Sequence, residues 1–308
     1  MSDLTRRSLL TSAAAAPLAG LAAGTAAAQS PALGQSFARH RRFAIGDFEV
    51  TTILGGTAPR ENPQGIFGMN VPEEEFAAVS RDNFLSTEQS QFFFTPTLVN
   101  TGSELVLFDT GLNAEATVGA LEAAGYSADQ VGIVVLTHMH GDHIGGLMTE
   151  GAPTFANARY VTGQAEWDHW SAAGNEGFDM NVRPLADMTT FLGDGDDVVS
   201  GITGIAAFGH TPGHMVYRLD SAGEGLVIFA DLANHPVWSL ARPDWEVRFD
   251  ADKAAAAASR RNILGMIAAD RIPAIGYHMP FPAVGYVATG SAADAEFEWV
   301  PESGQLMG

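Results

Sequence analysis

Apolar and polar residues alternate over residues 43–54 in the period of a half-buried strand, which predicts a hairpin turning at Gly46-Asp47. Residues 57–90 break that pattern with Pro and Gly, so they read as a long loop or cap with a short helix over 73–79. Strands are predicted over 92–100 and 105–108, the second closed by Asp109-Thr110-Gly111, followed by a helix over 114–124. The run 131–136 is continuously apolar, as in a strand buried on both faces. Beyond it, Ile144 to Met148 begins another helical stretch, and strands at 159–162, 215–219, 226–230 and 273–277 alternate with helices at 164–172 and 251–269. Residues 173–197 are rich in Gly, Asn and Asp and are expected to form an insertion or lid. Strands interleaved with helices in this way predict an α/β fold.

Between the buried run and the next helix stands Thr137-His138-Met139-His140-Gly141-Asp142-His143. In extended backbone, residues two apart point the same way, so His138 and His140 share a side at the C-terminal end of a strand. Asp142 and His143 follow where a helix begins, and backbone dipoles there favour an ionised carboxylate. Three imidazoles and one carboxylate within six residues are a ligand set for zinc, manganese or iron. A lone histidine would more often be an ordinary hydrogen-bonded residue; four such groups at this spacing point to metal.

Composition narrows the function. The 308 residues include 46% hydrophobic and 17% charged residues, which suits a globular body with a large core. The formal net charge is −20 and Lys253 is the only lysine, which argues against nucleic acid or an anionic membrane as partner. With no cysteine, disulfides, thiolate-bound zinc and a cysteine nucleophile are excluded, so His, Asp or Glu must hold any metal. Near the start, Arg6-Arg7 precede an Ala/Leu-rich stretch and Ala26-Ala27-Ala28, the pattern of a twin-arginine signal cleaved after Ala28. Residues 1–28 are therefore expected to be a signal peptide and 29–308 a single catalytic domain, periplasmic or secreted, with no stable membrane insertion after processing.

The run 138–143 resembles the His-x-His-x-Asp-His signature of the metallo-β-lactamase superfamily, and other elements of that family follow in order. Asp109-Thr110-Gly111 resembles its early Asp motif, and Gly209-His210-Thr211-Pro212-Gly213-His214 its Gly-His-Thr-x-Gly-His element. Asp231, after an apolar strand, and His278 in Tyr277-His278-Met279-Pro280 match its later ligands. The resemblance covers roughly residues 43 to 298. It implies a four-layer αβ/βα sandwich of two mixed β-sheets flanked by helices. It also implies that His138, His140 and His210 hold one divalent ion, that Asp142, His143 and His278 hold a second, and that Asp231 bridges them. Asp109 and His214 would then orient ligands without binding metal. Zinc is the expected ion, with manganese or iron as alternatives.

Such a site implies a dinuclear hydrolase that uses a hydroxide between the ions, with Asp142 and Asp231 as the catalytic carboxylates. The leader and the stretches around 230–243 and 278–285 look like the methyl parathion hydrolase group, to which N-acyl-homoserine lactonases are related. A lactone, ester or phosphotriester in a small molecule is the expected substrate, and a homodimer is left open. Phe67, Trp167, Trp170 and Phe281, with Phe178 and Phe191, are candidates for an apolar pocket wall. His40, His169 and His235 have no place in the pattern. One departure stands out: small lactonases of this kind carry a tyrosine shortly after the bridging Asp, where this chain has Leu232-Ala233-Asn234-His235. The alternatives from other classes are a non-turnover metal- or partner-binding protein of the periplasm and a mononuclear iron enzyme of sulfur oxidation.

Overall fold

Ile133 and Val135 face one core while Val134 and Leu136 face another, so the apolar run is a strand covered on both sides. The computed structural model describes residues 36–292 and 294–304; the expected leader lies outside them. That strand, Ile133–Leu136, belongs to a seven-stranded mixed sheet. Its order is His40–Ile45, Phe48–Ile53, Thr97–Asn100, Leu105–Phe108, Ile133–Leu136, Arg159–Gly163 and Thr189–Leu192. A second seven-stranded sheet runs Asp197–Val199, Ile202–Ala206, Met215–Ser221, Glu224–Ala230, Pro273–Gly276, Val284–Thr289 and Phe297–Pro301.

The two sheets pack face to face through Val106, Phe108, Ile133 and Val135 of the first and Tyr217, Leu226, Ile228 and Ile275 of the second. On the outer face of the first sheet, Leu107, Val134 and Tyr160 meet Ala120 and Leu121 of the helix Ala114–Ala123 and Phe178 of Glu176–Asn181. On the outer face of the second, Val227, Phe229 and Ala274 meet Ile263, Leu264 and Ile267 of the helix Lys253–Asp270. These four layers are the mixed α/β sandwich expected from the resemblance.

Several local expectations change. The strand expected over 92–100 is two strands, because Thr95-Pro96 interrupts it: Gln89–Phe94 pairs with Gly56–Glu61, and Thr97–Asn100 joins the first sheet. The supposed loop 57–90 thus contains a strand and the helix Glu73–Asp82, and it carries a fourth apolar cluster around Phe67, Phe76, Phe92, Trp238 and Trp245. The helix after the histidine run is only Gly141–Ile144. It ends at Gly145-Gly146, where added Cβ atoms would lie 2.2 and 2.1 Å from the carbonyl oxygens of Leu112 and Thr110. Residues 173–197 supply the helix Glu176–Asn181 and the edge strand Thr189–Leu192, so most of the expected lid is framework. Among the described residues no helix is long and apolar enough to cross a membrane.

Each sheet holds one parallel pair that matters for function: Leu105–Phe108 beside Ile133–Leu136, and Glu224–Ala230 beside Pro273–Gly276. Parallel neighbours bring their C-terminal ends side by side, and all four ends lead into candidate ligands or their supports. Leu264→Ala, which empties space between helix and second sheet, is expected to cost about 2–5 kcal/mol in denaturant unfolding. Phe84→Ser at a fully exposed turn should change stability by less than about 0.5 kcal/mol.

Candidate metal centre

His138 follows the strand Ile133–Leu136 in extended backbone, and His140 caps the short helix that carries Asp142 and His143. The chain turns abruptly at the neighbouring strand ends. Asp109 has φ +60° and Ala230 φ +48°, left-handed backbone that non-glycine residues adopt at a cost of about 1 kcal/mol or more. Those turns set the side chains of Asp109 and Asp231 on either side of the His143 ring, at its Nδ1 and Nε2. His210 lies on the connection between Ile202–Ala206 and Met215–Ser221, and His278 follows Pro273–Gly276.

Two groups result, His138, His140, His210 and Asp231 in one, and Asp142, His143 and His278 in the other. Within each, the potential ligand atoms all lie within 4.8 Å of one another, the spacing of groups that could hold a metal ion. Asp231 reaches into both. Its Oδ2 is 3.3 Å from His210 Nε2 and 3.2 Å from His278 Nε2, and its Oδ1 is 3.2 Å from His143 Nε2. Asp142 Oδ2 stands 3.3 Å from His278 Nε2.

The outer ring nitrogens are engaged. His143 Nδ1 is 2.8 Å from Asp109 Oδ2, whose carboxylate also accepts from the Thr137 amide and hydroxyl, each at 2.9 Å. His210 Nδ1 is 3.0 Å from Asp250 Oδ1, and Asp250 is in turn held by buried Arg260 at 2.8 Å. His278 Nδ1 donates to the Phe93 carbonyl at 2.7 Å. With Nδ1 committed outward, Nε2 of each ring is aimed at the centre. His143 Nε2 and Asp231 Oδ1 are buried without a hydrogen-bond partner, although bare buried polar atoms are costly. A cation between them would satisfy both, so these residues fit a metal centre.

His214 is fully buried, donates Nδ1–H to the Ala207 carbonyl at 3.2 Å and accepts the Asp231 amide on Nε2 at 3.2 Å. It therefore fixes the backbone that presents Asp231. Burial, reinforced by the charge of His210, lowers its pKa to about 3, which keeps it neutral as that acceptor role demands.

Burial opposes charge on His210 and His278. For His210 the hydrogen bonds to Asp231 and Asp250 outweigh it, and for His278 the field of Asp231 and Asp142 does, so both are raised to about 9. His140 goes the other way, to about 4, through burial and the charge on His210. Burial also opposes ionisation of Asp142, yet His143 and His278 hold it at about 2.

A cleft of about 410 Å³ opens over the centre, lined by His140, Asp142, Asp231 and His278 on its floor. Its walls are Phe92, Phe94, Phe249, Leu112, Gly141 and Arg60. The aromatic residues expected there lie elsewhere. Phe67 is fully buried between Phe92 and Trp238, because the segment 56–94 folds into its own core. Trp167 packs on Phe178 and Phe191, and Trp170 donates to Glu166 with its ring edge-on to His140, so neither lines the cleft. Phe281 is half-buried and also outside it. His235 accepts the amides of Val237 and Trp238 and stacks on the Trp238 ring, a capping role.

Sequence reasoning placed Phe92 and Phe94 only in a strand and missed Phe249 and Leu112. It also missed Asp250, which looks like a helix-start acid, although the actual cap of the helix Lys253–Asp270 is Asp252. Tyr277, its ring centroid 4.0 Å from that of His143 and tilted by 34°, donates its hydroxyl to the Asp142 carbonyl at 2.5 Å. No tyrosine stands in the few residues after Asp231; Asn234 does, donating to Asp231 Oδ2 at 2.8 Å.

A family model described as the metallo-beta-lactamase superfamily matches residues 95–274. The chain belongs to the metallo-beta-lactamase superfamily. Among solved structures, this superfamily member is similar to AidC, a dizinc quorum-quenching lactonase in complex with a product, N-hexnoyl-L-homoserine. The identity is 27% and the TM-score 0.77, covering 86% of this chain and 97% of that one. It is also similar to the hydrolase AbOPH of the beta lactamase superfamily, at 25% identity and TM-score 0.80, covering 87% and 99%. AiiA of B. thuringiensis, solved with N-decanoyl-L-homoserine bound at the active site, shares the fold at 17% identity and TM-score 0.58, covering 78% and 99%. No curated protein matches the chain.

Because His210 and His278 hold protons up to about pH 9 in the metal-free protein, metal must displace them. Zinc uptake at pH 7 is expected to release protons, and zinc affinity to rise with pH through about 9. Titration calorimetry in buffers of different ionisation enthalpy checks this; heats independent of the buffer would contradict it.

Proposed function

We propose that this chain is a dinuclear metal-dependent hydrolase of a small neutral lactone, ester or phosphotriester. The observation that carries the reading is Asp231. One carboxylate lies within 3.3 Å of His210, His278 and His143, on the floor of an apolar-walled cleft, and so joins two candidate ligand groups into one site. Zinc is the proposed ion for both groups, with His138, His140 and His210 holding one, Asp142, His143 and His278 the other, and Asp231 between them. When bound, two such ions would supply a nucleophilic hydroxide at neutral pH and polarise the attacked group.

The chain's own residues do the rest. Phe92, Phe94 and Phe249 present aromatic surface to the apolar part of a substrate and exclude bulk water. Leu112, 41% exposed, and Arg60 stand at the rim. Asp142 is only partly buried and borders the cleft, so it is placed to pass a proton to a leaving oxygen. Its backbone is fixed by the Tyr277 hydroxyl. The similarity to AidC and AbOPH supports hydrolysis of this kind, and the paired ligand groups favour two ions over a mononuclear iron site. Export by the twin-arginine pattern at residues 1–28 belongs to the same proposal.

Elemental analysis of the purified protein is expected to give two metal equivalents per chain, together with turnover of at least one member of a panel of lactones, esters and a chromogenic phosphotriester. Two ions with no turnover of any member would favour the binding-protein alternative. His278→Ala is expected to lose one equivalent and at least about 100-fold in kcat/KM, or about 2.7 kcal/mol of transition-state stabilisation. Full metal content and rate in that variant would remove His278 from the site.

A further inference from the structure

Glu166 lies in the first turn of the helix Gln164–Ala173 with no exposed surface, yet all four of its hydrogen bonds come from neutral donors. A buried carboxyl group needs hydrogen-bond partners, and the four that this one has come from three separate segments of the chain. Oε1 accepts the Met139 amide at 2.9 Å and the Trp170 indole N–H at 2.6 Å. Oε2 accepts the Thr211 hydroxyl at 2.7 Å and the Gly213 amide at 2.9 Å. Met139 is the residue between His138 and His140, and Thr211 directly follows His210. One carboxylate therefore ties together the two segments that carry the three histidines of a single candidate metal group. Trp170, held by the same carboxylate, sets its ring edge-on to His140 at 5.9 Å between centroids.

A second observation, independent of those bonds, points the same way. The His210 loop is clamped at both of its glycines. A Cβ on Gly213 would lie 2.0 Å from the Glu166 backbone nitrogen, and a Cβ on Gly209, at φ +128°, would lie 2.1 Å from the Ala256 backbone nitrogen. The loop thus sits against the start of a helix from each outer layer, and only glycine permits so close an approach.

We propose that Glu166 is a positioning residue that sets the spacing of His138, His140 and His210, and with it the affinity for the ion those residues would hold. The inference rests on the metal-centre reading above. Chemistry explains why the residue is a glutamate. Each side-chain oxygen accepts one main-chain N–H, from Met139 on one side and Gly213 on the other. Glutamine, turned either way, would set its NH₂ against one of those donors and push one histidine segment away.

The test is zinc binding by the full chain, measured by competition with a chromophoric chelator in wild type, Glu166→Gln and Thr211→Val, with thermal unfolding of each metal-free form. Glu166→Gln is expected to weaken one of the two zinc ions about 10–100-fold while leaving the other within about threefold, the range seen when a group behind a ligand is removed. Thr211→Val removes one bond of the four and should weaken the same ion by a smaller factor; it decides the matter if Glu166→Gln does not fold. Wild-type affinity for both ions in both variants would overturn the proposal. So would parallel weakening of both ions together with a fall in metal-free Tm, which is what a merely structural role produces. If wild type binds neither zinc, manganese nor iron, the metal-centre reading fails, and the brace fails with it.

Discussion

Asp231 must stay ionised, nearly fully buried, and within 3.2–3.3 Å of three imidazoles that approach from different parts of the chain. Burial alone would neutralise it; the charges of His278 and His143 hold its pKa well below the usual carboxylate range. Such a cluster is tolerable only if every group has a fixed partner, and much of the surrounding structure serves that need. His214 pins the Asp231 amide, Asn234 holds one of its oxygens, and Asp109, Asp250 and the Phe93 carbonyl fix the rings of His143, His210 and His278.

The four layers follow from the same demand. Loops bearing charged groups can converge in a dry interior only where strong frameworks end together. The parallel pair in each sheet provides such an edge, and the apolar cores on both faces of each sheet keep those ends rigid. The segment 56–94 adds what the sandwich lacks. Its hairpin brings Phe92 and Phe94 beside His278, at 5.2 and 5.4 Å between ring centroids, and thereby walls the cleft. The roles are thus divided: the sandwich holds the candidate ligands, and the added segment walls much of the cleft above them.

Residues that must be a particular type for local chemical reasons were legible in the chain. His138, His140, Asp142 and His143 are close in sequence, and the alternating core of Ile133–Leu136 marks the strand that delivers them. Gly209 and Gly213 stand out within their motif, but nothing in the chain says that each packs on a helix start. The wall of the cleft was misread, since Phe67 and Trp167 are as aromatic as Phe92 and Phe249. The pairing of Gly56–Glu61 with Gln89–Phe94 is what brings Phe92 and Phe94 to the centre.

By itself, then, the sequence determined the chemistry that local spacing can encode: a candidate nitrogen- and oxygen-donor metal site without cysteine, at the end of a buried strand in a layered α/β domain. The tertiary structure decided which distant groups complete and brace it. Glu166, Asp250 and Arg260 are a helix residue, a turn residue and a helix residue like many others until folding sets them behind the histidines. The reason is physical. A ligand is recognisable by its type and its neighbours along the chain, whereas a brace is defined only by what lies against it in space.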